Sequence, residues 1–143
     1  MKSALGNILV LDFATAIAGA YVSALLGDMG AEVIKIEPKT GDFARQWPPF
    51  LNGESQLFIG WNRNKKSLAL DLSQPKGREI ALKLAAKADV VVQNFRPGVA
   101  DRLGIGYNRI SAINPRLVYC SVSAFGQEGP YCDRPGFDPL LQA

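Results

Sequence analysis

The stretch Asp89-Val-Val-Val-Gln-Asn-Phe-Arg-Pro-Gly98 decides the fold class of this chain. It begins with consecutive apolar residues, which is the pattern of a strand buried on both faces of a parallel sheet. The strand then passes directly into an amide, an aromatic ring, an arginine and a proline–glycine turn. Open α/β sheets bind ligands beyond the carboxyl ends of their strands. The stretch therefore predicts a covered parallel sheet and a binding edge at its end.

Four other segments repeat the strand pattern, and helical patterns separate them. The predicted strands are roughly 8–13, 32–36, 67–72, 89–93 and 117–122. The predicted helical stripes are Ala18, Val22, Leu25, Leu26 and Met29, ending at Gly30, and an inward stripe of Ile80, Ala81, Leu84, Ala85 and Ala88 in a helix that Ser73-Gln-Pro75 opens. A shorter helix over 107–113 stops before Asn114-Pro115, because a residue that precedes proline disfavours the helical region. This alternation predicts an α/β fold with a Rossmann-like, doubly wound, mostly parallel sheet.

The segment 38–66 does not fit a simple crossover between strands. It combines prolines and glycines with five aromatic residues, and a featureless loop of this length is rare in a compact domain. We expect an excursion pinned by its aromatic rings, with a short helix near residues 55–61, that covers a cleft.

The composition limits the chemistry available to the chain. With 48% apolar and 20% charged residues among 143, it is typical of one soluble globular domain, and we expect a cytoplasmic protein without a membrane span. The net charge of +3 is too small to indicate nucleic acid. Histidine is absent, and Cys120 and Cys132 lack metal-ligand spacing, so we expect no metal and no permanently bound cofactor.

The predicted ligand crevice lies between the first and fourth strands, if the strand order is the usual 3-2-1-4-5. The first strand is followed by only one glycine, Gly19, so the dinucleotide fingerprint is missing and NAD is a poor candidate. The helix that begins near residues 16–19 offers unpaired backbone N–H groups, which suit a phosphate or a developing oxyanion.

Simpler interpretations of these residues stay open at the level of sequence pattern. Asn94 and Gly98 are compatible with a plain turn, and Phe95 with the core. Arg96 and Arg102 are compatible with solvated surface positions, and the basic run 62–66 with a solvated loop.

A series of motifs along nearly the whole chain resembles a known family. The motifs are Val33-Ile-Lys-Ile-Glu-Pro38, Gly41-Asp-Phe-Ala-Arg45, Asn62-Arg-Asn-Lys-Lys-Ser67, Asn94-Phe-Arg-Pro-Gly98 with Leu103-Gly104, Phe125-Gly-Gln-Glu-Gly-Pro-Tyr131 and Pro135-Gly-Phe-Asp138. In this order they resemble the class III CoA-transferases, the family of formyl-CoA transferase, the carnitine CoA-transferases and α-methylacyl-CoA racemase. The resemblance implies an acyl-CoA and a small carboxylic acid as substrates, and a homodimer whose two chains are interlocked.

The resemblance also implies which residues contact coenzyme A. Positions that match CoA contacts of relatives, with Arg102 against the adenine, are Ala16, Ile17, Ala18, Leu70, Asn94, Phe95 and Arg102. Pro38 and Ser73 stand where some relatives have basic side chains for the CoA phosphates. That role would then pass to Lys66, Lys76 or Arg45.

The family's nucleophile is an aspartate that attacks the thioester to form an aspartyl acyl anhydride. By the resemblance it lies C-terminal to Ala143, so Asp138 is not the nucleophile. Residues 1–143 would then be a single partial domain, the N-terminal Rossmann-like part without the small domain and the C-terminal return segment, and inactive alone.

The family contains racemases as well as transferases. Racemases resemble "GHD" where this chain reads Gly136-Phe-Asp138, and phenylalanine cannot move a proton. Transferase is therefore the favoured interpretation; an acyl-CoA racemase or epimerase and a non-catalytic CoA- or nucleotide-binding fragment are the alternatives. The acyl group and the acceptor acid stay open.

Overall fold

The structure, a computed structural model, describes residues 3–142. In chain order the strands are β1 (Leu9–Asp12), β2 (Glu32–Glu37), β3 (Phe50–Leu51), β4 (Glu54–Ser55), β5 (Lys65–Ala69), β6 (Val90–Gln93) and β7 (Val118–Ser121). The helices are α1 (Ala18–Asp28), α2 (Gln56–Asn62), α3 (Pro75–Ala85), α4 (Val99–Arg102), α5 (Tyr107–Ile113) and α6 (Asp138–Gln142), with a 3₁₀ helix at Phe43–Gln46.

Five strands form one sheet in the order β5-β2-β1-β6-β7, and every neighbouring pair is parallel. The short β3 and β4 pair only with each other. With this hairpin set aside, the order is the predicted 3-2-1-4-5, and the α/β prediction is confirmed. Because β1 lies between β2 and β6, the chain leaves β1 and β6 toward opposite sides and opens a crevice at their carboxyl ends.

The sheet is covered on both faces, as continuous apolar strands require. Val10 and Leu11 are adjacent in β1 and point to opposite faces. Leu11 packs in a cluster with residues of α3 and α5, such as Ala81 and Ile110. Val10 packs in a second cluster with Val33 and with partly buried residues of α1.

The third strand of the sheet begins earlier than predicted. The sequence pattern placed it at 67–72, whereas β5 pairs with β2 from Lys65, opposite Val33. The polar opening of β5 hid its start, because a charged side chain enters a sheet only where a partner neutralises it. Lys65 has such a partner in Asp12.

The two long helices pack on the sheet through small residues. The buried positions of α3 are Gly77, Ala81 and Ala85, and those of α1 are Gly19, Ala20, Ser23 and Ala24. The prediction that Ile80 points inward is wrong, since its side chain is 44% exposed. Helix α3 lies so close that a Cβ on Gly77 would meet the carbonyl oxygen of Asp71 at 2.0 Å. A large side chain on that face would not fit.

The excursion between β2 and β5 is held by its aromatic rings. Trp47 makes edge contacts with Phe43 and Trp61, at centroid distances of 5.3 and 6.1 Å. The predicted short helix is α2, which Ser55 caps by accepting a hydrogen bond from the backbone N–H of Phe58 at 3.2 Å. The excursion therefore forms a fixed layer beside the start of α1.

Candidate active site

Two cavities open at the carboxyl ends of β1 and β6, where the strand order reverses. The first has a volume of about 480 Å³ and the second of about 470 Å³. Thr15, which follows β1, and Phe95, which follows β6, line both of them. The two cavities are therefore neighbouring compartments with a common wall.

The first cavity has an apolar floor and a polar rim. Its apolar lining residues are Phe13, Ile36, Pro38, Leu70, Leu72, Phe95 and Leu103. Thr15, Glu37, Lys39, Thr40, Asp71 and Ser73 contribute the polar groups. Such a lining suits a flat aromatic base that carries a charged substituent toward solvent. Lys39 was missed by the sequence analysis, although its position directly after Pro38 at the end of β2 was a signal for it.

The second cavity is lined by the start of α1, by the residues after β6, and by the C-terminal segment, residues 122–138. Ala16, Ile17 and Ala18 form one side, and Asn94 and Arg96 lie on another. Further lining residues are Phe43, Trp47, Pro97, Val122, Ser123, Ala124, Cys132, Arg134, Pro135, Gly136, Phe137 and Asp138. Aromatic walls with a few convergent polar groups are typical of a small-molecule site.

The wall between the cavities is the β1–α1 loop, residues 13–17. Asn94 holds Thr15 at both ends of its backbone: its Oδ1 accepts from the N–H at 2.9 Å and its Nδ2 donates to the carbonyl oxygen at 2.8 Å. Lys35 Nζ donates to the carbonyl oxygen of Ala14 at 2.7 Å, and Asp12 Oδ1 accepts from the N–H of Ala14 at 2.8 Å. Side chains from β1, from β2 and from the residue after β6 thus fix this loop.

Two buried ion pairs lie beneath the loop. Lys35 Nζ is 2.9 Å from Asp42 Oδ2, and Lys65 Nζ is 2.8 Å from Asp12 Oδ2. Burial lowers the pKa of Lys65, and the nearby carboxylate of Asp12 opposes that shift. The interpretation of residues 62–66 as a plain solvated loop is wrong for Lys65, whose side chain is 2% exposed. Lys66, in contrast, is on the surface and pairs with Glu32 at 2.7 Å.

Glu37 organises the end of β2. Arg45 donates two hydrogen bonds to the Glu37 carboxylate, at 2.9 and 2.7 Å, and Ser67 Oγ donates a third at 2.6 Å. Burial raises the pKa of Glu37, but the hydrogen bonds from Arg45, Ser67 and the N–H of Asp42 outweigh burial and bring it to about 2. Arg45 also lies over the ring of Phe58, 3.9 Å from its centroid.

The structure brings together most of the residues singled out from the sequence. Leu70 lines the first cavity, Phe95 both, and Asn94 with residues 16–18 the second. Arg102 lines neither; it is exposed at the end of α4, next to Leu103 of the first cavity.

The basic residues suggested for the CoA phosphates are distributed differently. Arg45 and Lys66 are engaged in ion pairs with Glu37 and Glu32. Lys76 is exposed at the start of α3. Lys39, on the rim of the first cavity, is better placed than any of the three.

Two negative findings concern residues 3–142. Within them, no three His, Cys, Asp or Glu side chains come close enough together to hold a metal ion. None of the helices over the same residues has the length and apolar character needed to cross a bilayer.

Comparison with known proteins gives one consistent group of relatives. The family described as CoA-transferase family III matches residues 5–143. The chain is 45% identical to mouse (Mus musculus) succinyl-CoA:glutarate CoA-transferase over 97% of its length, which is 32% of the mouse protein. It is 43% identical to acetyl-CoA:oxalate CoA-transferase of Acetobacter aceti over 99% of its length, which is 37% of that protein.

Solved structures agree with these sequence relatives. The crystal structure of a CAIB/BAIF family protein from Brucella suis superposes with a TM-score of 0.94 at 39% identity, covering 99% of this chain and 39% of that one. The chain thus spans about a third of the length of the curated relatives it matches.

Proposed function

This chain belongs to CoA-transferase family III, and on this basis we propose that the whole protein transfers coenzyme A from an acyl-CoA thioester to a carboxylic acid. The observation that carries the proposal is the pair of adjoining cavities with Thr15 and Phe95 in common. Coenzyme A is a long molecule with a nucleotide at one end and a thiol at the other. Two connected compartments suit its two ends.

The first cavity supports a role in binding the nucleotide end. Leu70, Leu103 and Phe95 offer an apolar slot for the adenine, and Lys39 offers a cation at the rim for a phosphate. Arg102 is exposed at the end of helix α4, next to Leu103 of this cavity, and an arginine can stack on an exposed base. We propose Leu70, Phe95 and Arg102 as nucleotide contacts.

The second cavity supports a role in binding the thioester and the acids. Ala16, Ile17 and Ala18 line it where α1 begins. The N–H of Ala16 donates to Asp42, but the first N–H groups of α1 itself, from Ala18 onward, lack helical partners. Such groups stabilise the negative charge that develops on a thioester oxygen during attack. Arg96 and Arg134 add positive charge that suits a carboxylate. Asn94 contributes by holding Thr15, as well as by lining the cavity.

The proposed chemistry is nucleophilic catalysis by a carboxylate. An aspartate oxygen attacks the thioester carbonyl carbon, the carbon–sulfur bond breaks, and coenzyme A leaves as a thiolate, so that an aspartyl acyl anhydride remains. Asp12 and Asp42 are buried in ion pairs with lysines, and Asp138 accepts a hydrogen bond from Gln142 at 2.6 Å. From the family resemblance, we assign the nucleophile to an aspartate C-terminal to Ala143. We also propose that the longer protein is an interlocked homodimer located in the cytoplasm.

A second candidate is a CoA-binding module without catalytic activity. It is kept as the alternative because the family resemblance identifies no nucleophile among residues 1–143. A racemase is disfavoured, because Phe137 in the segment 136–138 carries no titrating group.

The test is a transfer assay on the complete protein, with acyl-CoA donors offered to a set of carboxylic acids and the new thioester identified by mass spectrometry. We expect CoA transfer by the complete protein and none by residues 1–143 alone. Binding without transfer by the complete protein would favour the module, and turnover by the 143-residue chain would mean that the nucleophile is misassigned.

The nucleotide contact is tested by Arg102→Ala in the same protein. Loss of a stacked or charge-assisted contact should weaken acyl-CoA binding by roughly 1 to 3 kcal/mol in calorimetry. Arg116→Ala is the matched control, because Arg116 is exposed just before β7, at the opposite end of the strands from both cavities. Equal affinities of the two variants would reject the assignment of Arg102.

A further inference from the structure

We propose that Lys35 and Asp42 are positioning residues for CoA transfer: as a buried ion pair they fix the β1–α1 loop that separates the two cavities. The inference deepens the proposed function and rests on it. Neither Lys35 nor Asp42 lines a cavity, so the inference gives a function to two motif residues that the binding site itself does not explain.

The atoms of this pair are directed at the backbone of the loop. Lys35 Nζ lies between Asp42 Oδ2, at 2.9 Å, and the carbonyl oxygen of Ala14, at 2.7 Å. Asp42 Oδ1 accepts from the N–H of Ala16 at 3.3 Å and from the N–H of Ala44 at 3.0 Å. The pair therefore joins two successive parts of the loop to the end of β2 and to the 3₁₀ helix.

The loop needs such support because of its backbone conformation. Ala16 has a φ of +57°, in the left-handed region that residues with a Cβ rarely adopt. A strained residue persists only where surrounding contacts hold it. The hydrogen bond from the N–H of Ala16 to Asp42 is a contact of this kind.

Burial of the pair argues against a role in stability alone. The side chains of Lys35 and Asp42 are 2% and 0% exposed. Removing two charges from water costs free energy, and buried ion pairs are often replaceable by apolar residues without loss of stability. What apolar residues would not reproduce is the set of directed bonds to Ala14 and Ala16.

The consequence for the reaction follows from the position of the loop. Ala16 lines only the second cavity, and Thr15 lines both. The first cavity keeps further walls from the end of β2, from residues 70–73 after β5 and from Leu103 after α4 if the loop moves. A displaced loop should therefore disturb the reacting end of the thioester more than the binding of the nucleotide.

The experiment uses the complete protein with Asp42→Ala, Asp42→Asn and Lys35→Met, each with and without Ala16→Gly. Because a displacement of about 1 Å at a reacting centre can cost about a hundredfold in rate, we expect kcat to fall about tenfold or more in Asp42→Ala and Lys35→Met. The Kd for coenzyme A should change by less than about threefold, because the first cavity keeps its other walls. Asp42→Asn keeps an Oδ1 acceptor for Ala16, so its loss should be smaller.

The rescue by Ala16→Gly distinguishes positioning from a general structural role. Glycine adopts a positive φ without strain, so it should recover about threefold or more of the lost kcat in Asp42→Ala. Ile110→Val is the control for lost packing, because Ile110 is buried on α5 and lines neither cavity. It should lower the melting temperature while kcat stays the same.

The outcomes separate this inference from the proposed function. If kcat and affinity fall in proportion, or if Ala16→Gly rescues nothing, the positioning role is wrong. If the unmodified protein transfers no CoA, the proposed function fails, and deuterium exchange of the amides of residues 15–18 decides the inference instead. Faster exchange in Asp42→Ala than in Ile110→Val would support the positioning role, and equal exchange would overturn it. Where Lys35→Met does not fold, Asp42→Asn carries the comparison.

Discussion

Glu37 shows how one buried carboxylate is kept ionised at the edge of the site. Its oxygens accept hydrogen bonds from Arg45, Ser67 and the backbone of Asp42. Each of these donors favours the charged form, which explains a pKa of about 2 in spite of burial. Because Arg45 and Asp42 belong to the excursion and Ser67 to β5, Glu37 joins the excursion to the sheet.

The replacement Glu37→Gln tests this role of the carboxylate. The amide cannot satisfy both nitrogens of Arg45, so unfolding near neutral pH should become easier by about 2 kcal/mol. Because the folded pKa is about 2 and the ordinary value 4.5, the contribution is complete above pH 4.5 and is lost as the pH falls toward 2. Denaturant unfolding at several pH values should therefore show the two proteins converging in acid. A difference that is constant over this range would contradict the assignment.

The partners of single charged residues were the hardest feature to predict. The sequence shows that Lys35, Lys65 and Asp12 lie in or beside apolar runs, but not which charges meet. Lys65 and Asp12 are far apart in the chain and meet only because β2 brings β5 and β1 to its two sides. Contacts of this kind depend on the sheet order and on how far each side chain reaches. A single sequence predicts only the sheet order.

At the scale of elements, the first turns of the two long helices lie close to the loops that lead into them. A Cβ on Gly19 of α1 would lie 2.5 Å from the Cβ of Ala14, and one on Gly77 of α3 would meet a backbone oxygen. Both helices therefore use glycine and alanine as their contact surface. Gly60 of α2 is different, since a Cβ there would meet nothing within 4 Å.

These glycines give a matched pair of substitutions. Gly77→Ala should destabilise the protein by about 1 to 2 kcal/mol, because forced backbone displacement outweighs the gain in helix propensity. Gly60→Ala should stabilise it by about 0.5 to 1 kcal/mol, because only the propensity and the reduced freedom of the unfolded chain remain. Thermal unfolding of both variants provides the measurement. Two shifts of the same sign would contradict the close packing of α3.

Elements with clear stop signals were predicted well. The helix over 107–113 is confirmed to the residue by α5, because the proline that follows Asn114 restricts where it can end. Helix α4 and the β3–β4 hairpin were not predicted. These elements are only two to four residues long, which is too short for hydrophobic periodicity to indicate them.

At the scale of the whole molecule, the sheet order and the place of the crevice were predicted because few topologies satisfy right-handed crossovers with short connections. The division of the crevice into two cavities was not. It depends on Phe95, on Thr15 and on the C-terminal segment, whose turn chemistry gave no indication of where it folds. Apolar side chains are also exposed at the margins of the molecule. Val118 on the outer strand β7 is 62% exposed, and Met29 after α1 is 52% exposed.

The exposed surface leads to a prediction for the 143-residue chain studied alone. If it is the first part of a longer domain, as proposed, its apolar margins lack their cover, and an outer strand with free backbone groups favours association. Sedimentation velocity should show self-association that increases with protein concentration. Val118→Lys, on β7, should reduce it, whereas Ile80→Lys, at an exposed position of α3, serves as the comparison. A monomer at all concentrations would count against the fragment proposal.

The shared position of Thr15 and Phe95 makes the two compartments mechanically dependent on each other. A molecule in one compartment contacts residues that also line the other. With the proposed function, binding of the nucleotide end would therefore help to shape the pocket for the thioester. Binding energy from the distant part of the substrate would then position the bond that breaks, and a truncated substrate would show a lower kcat as well as weaker binding.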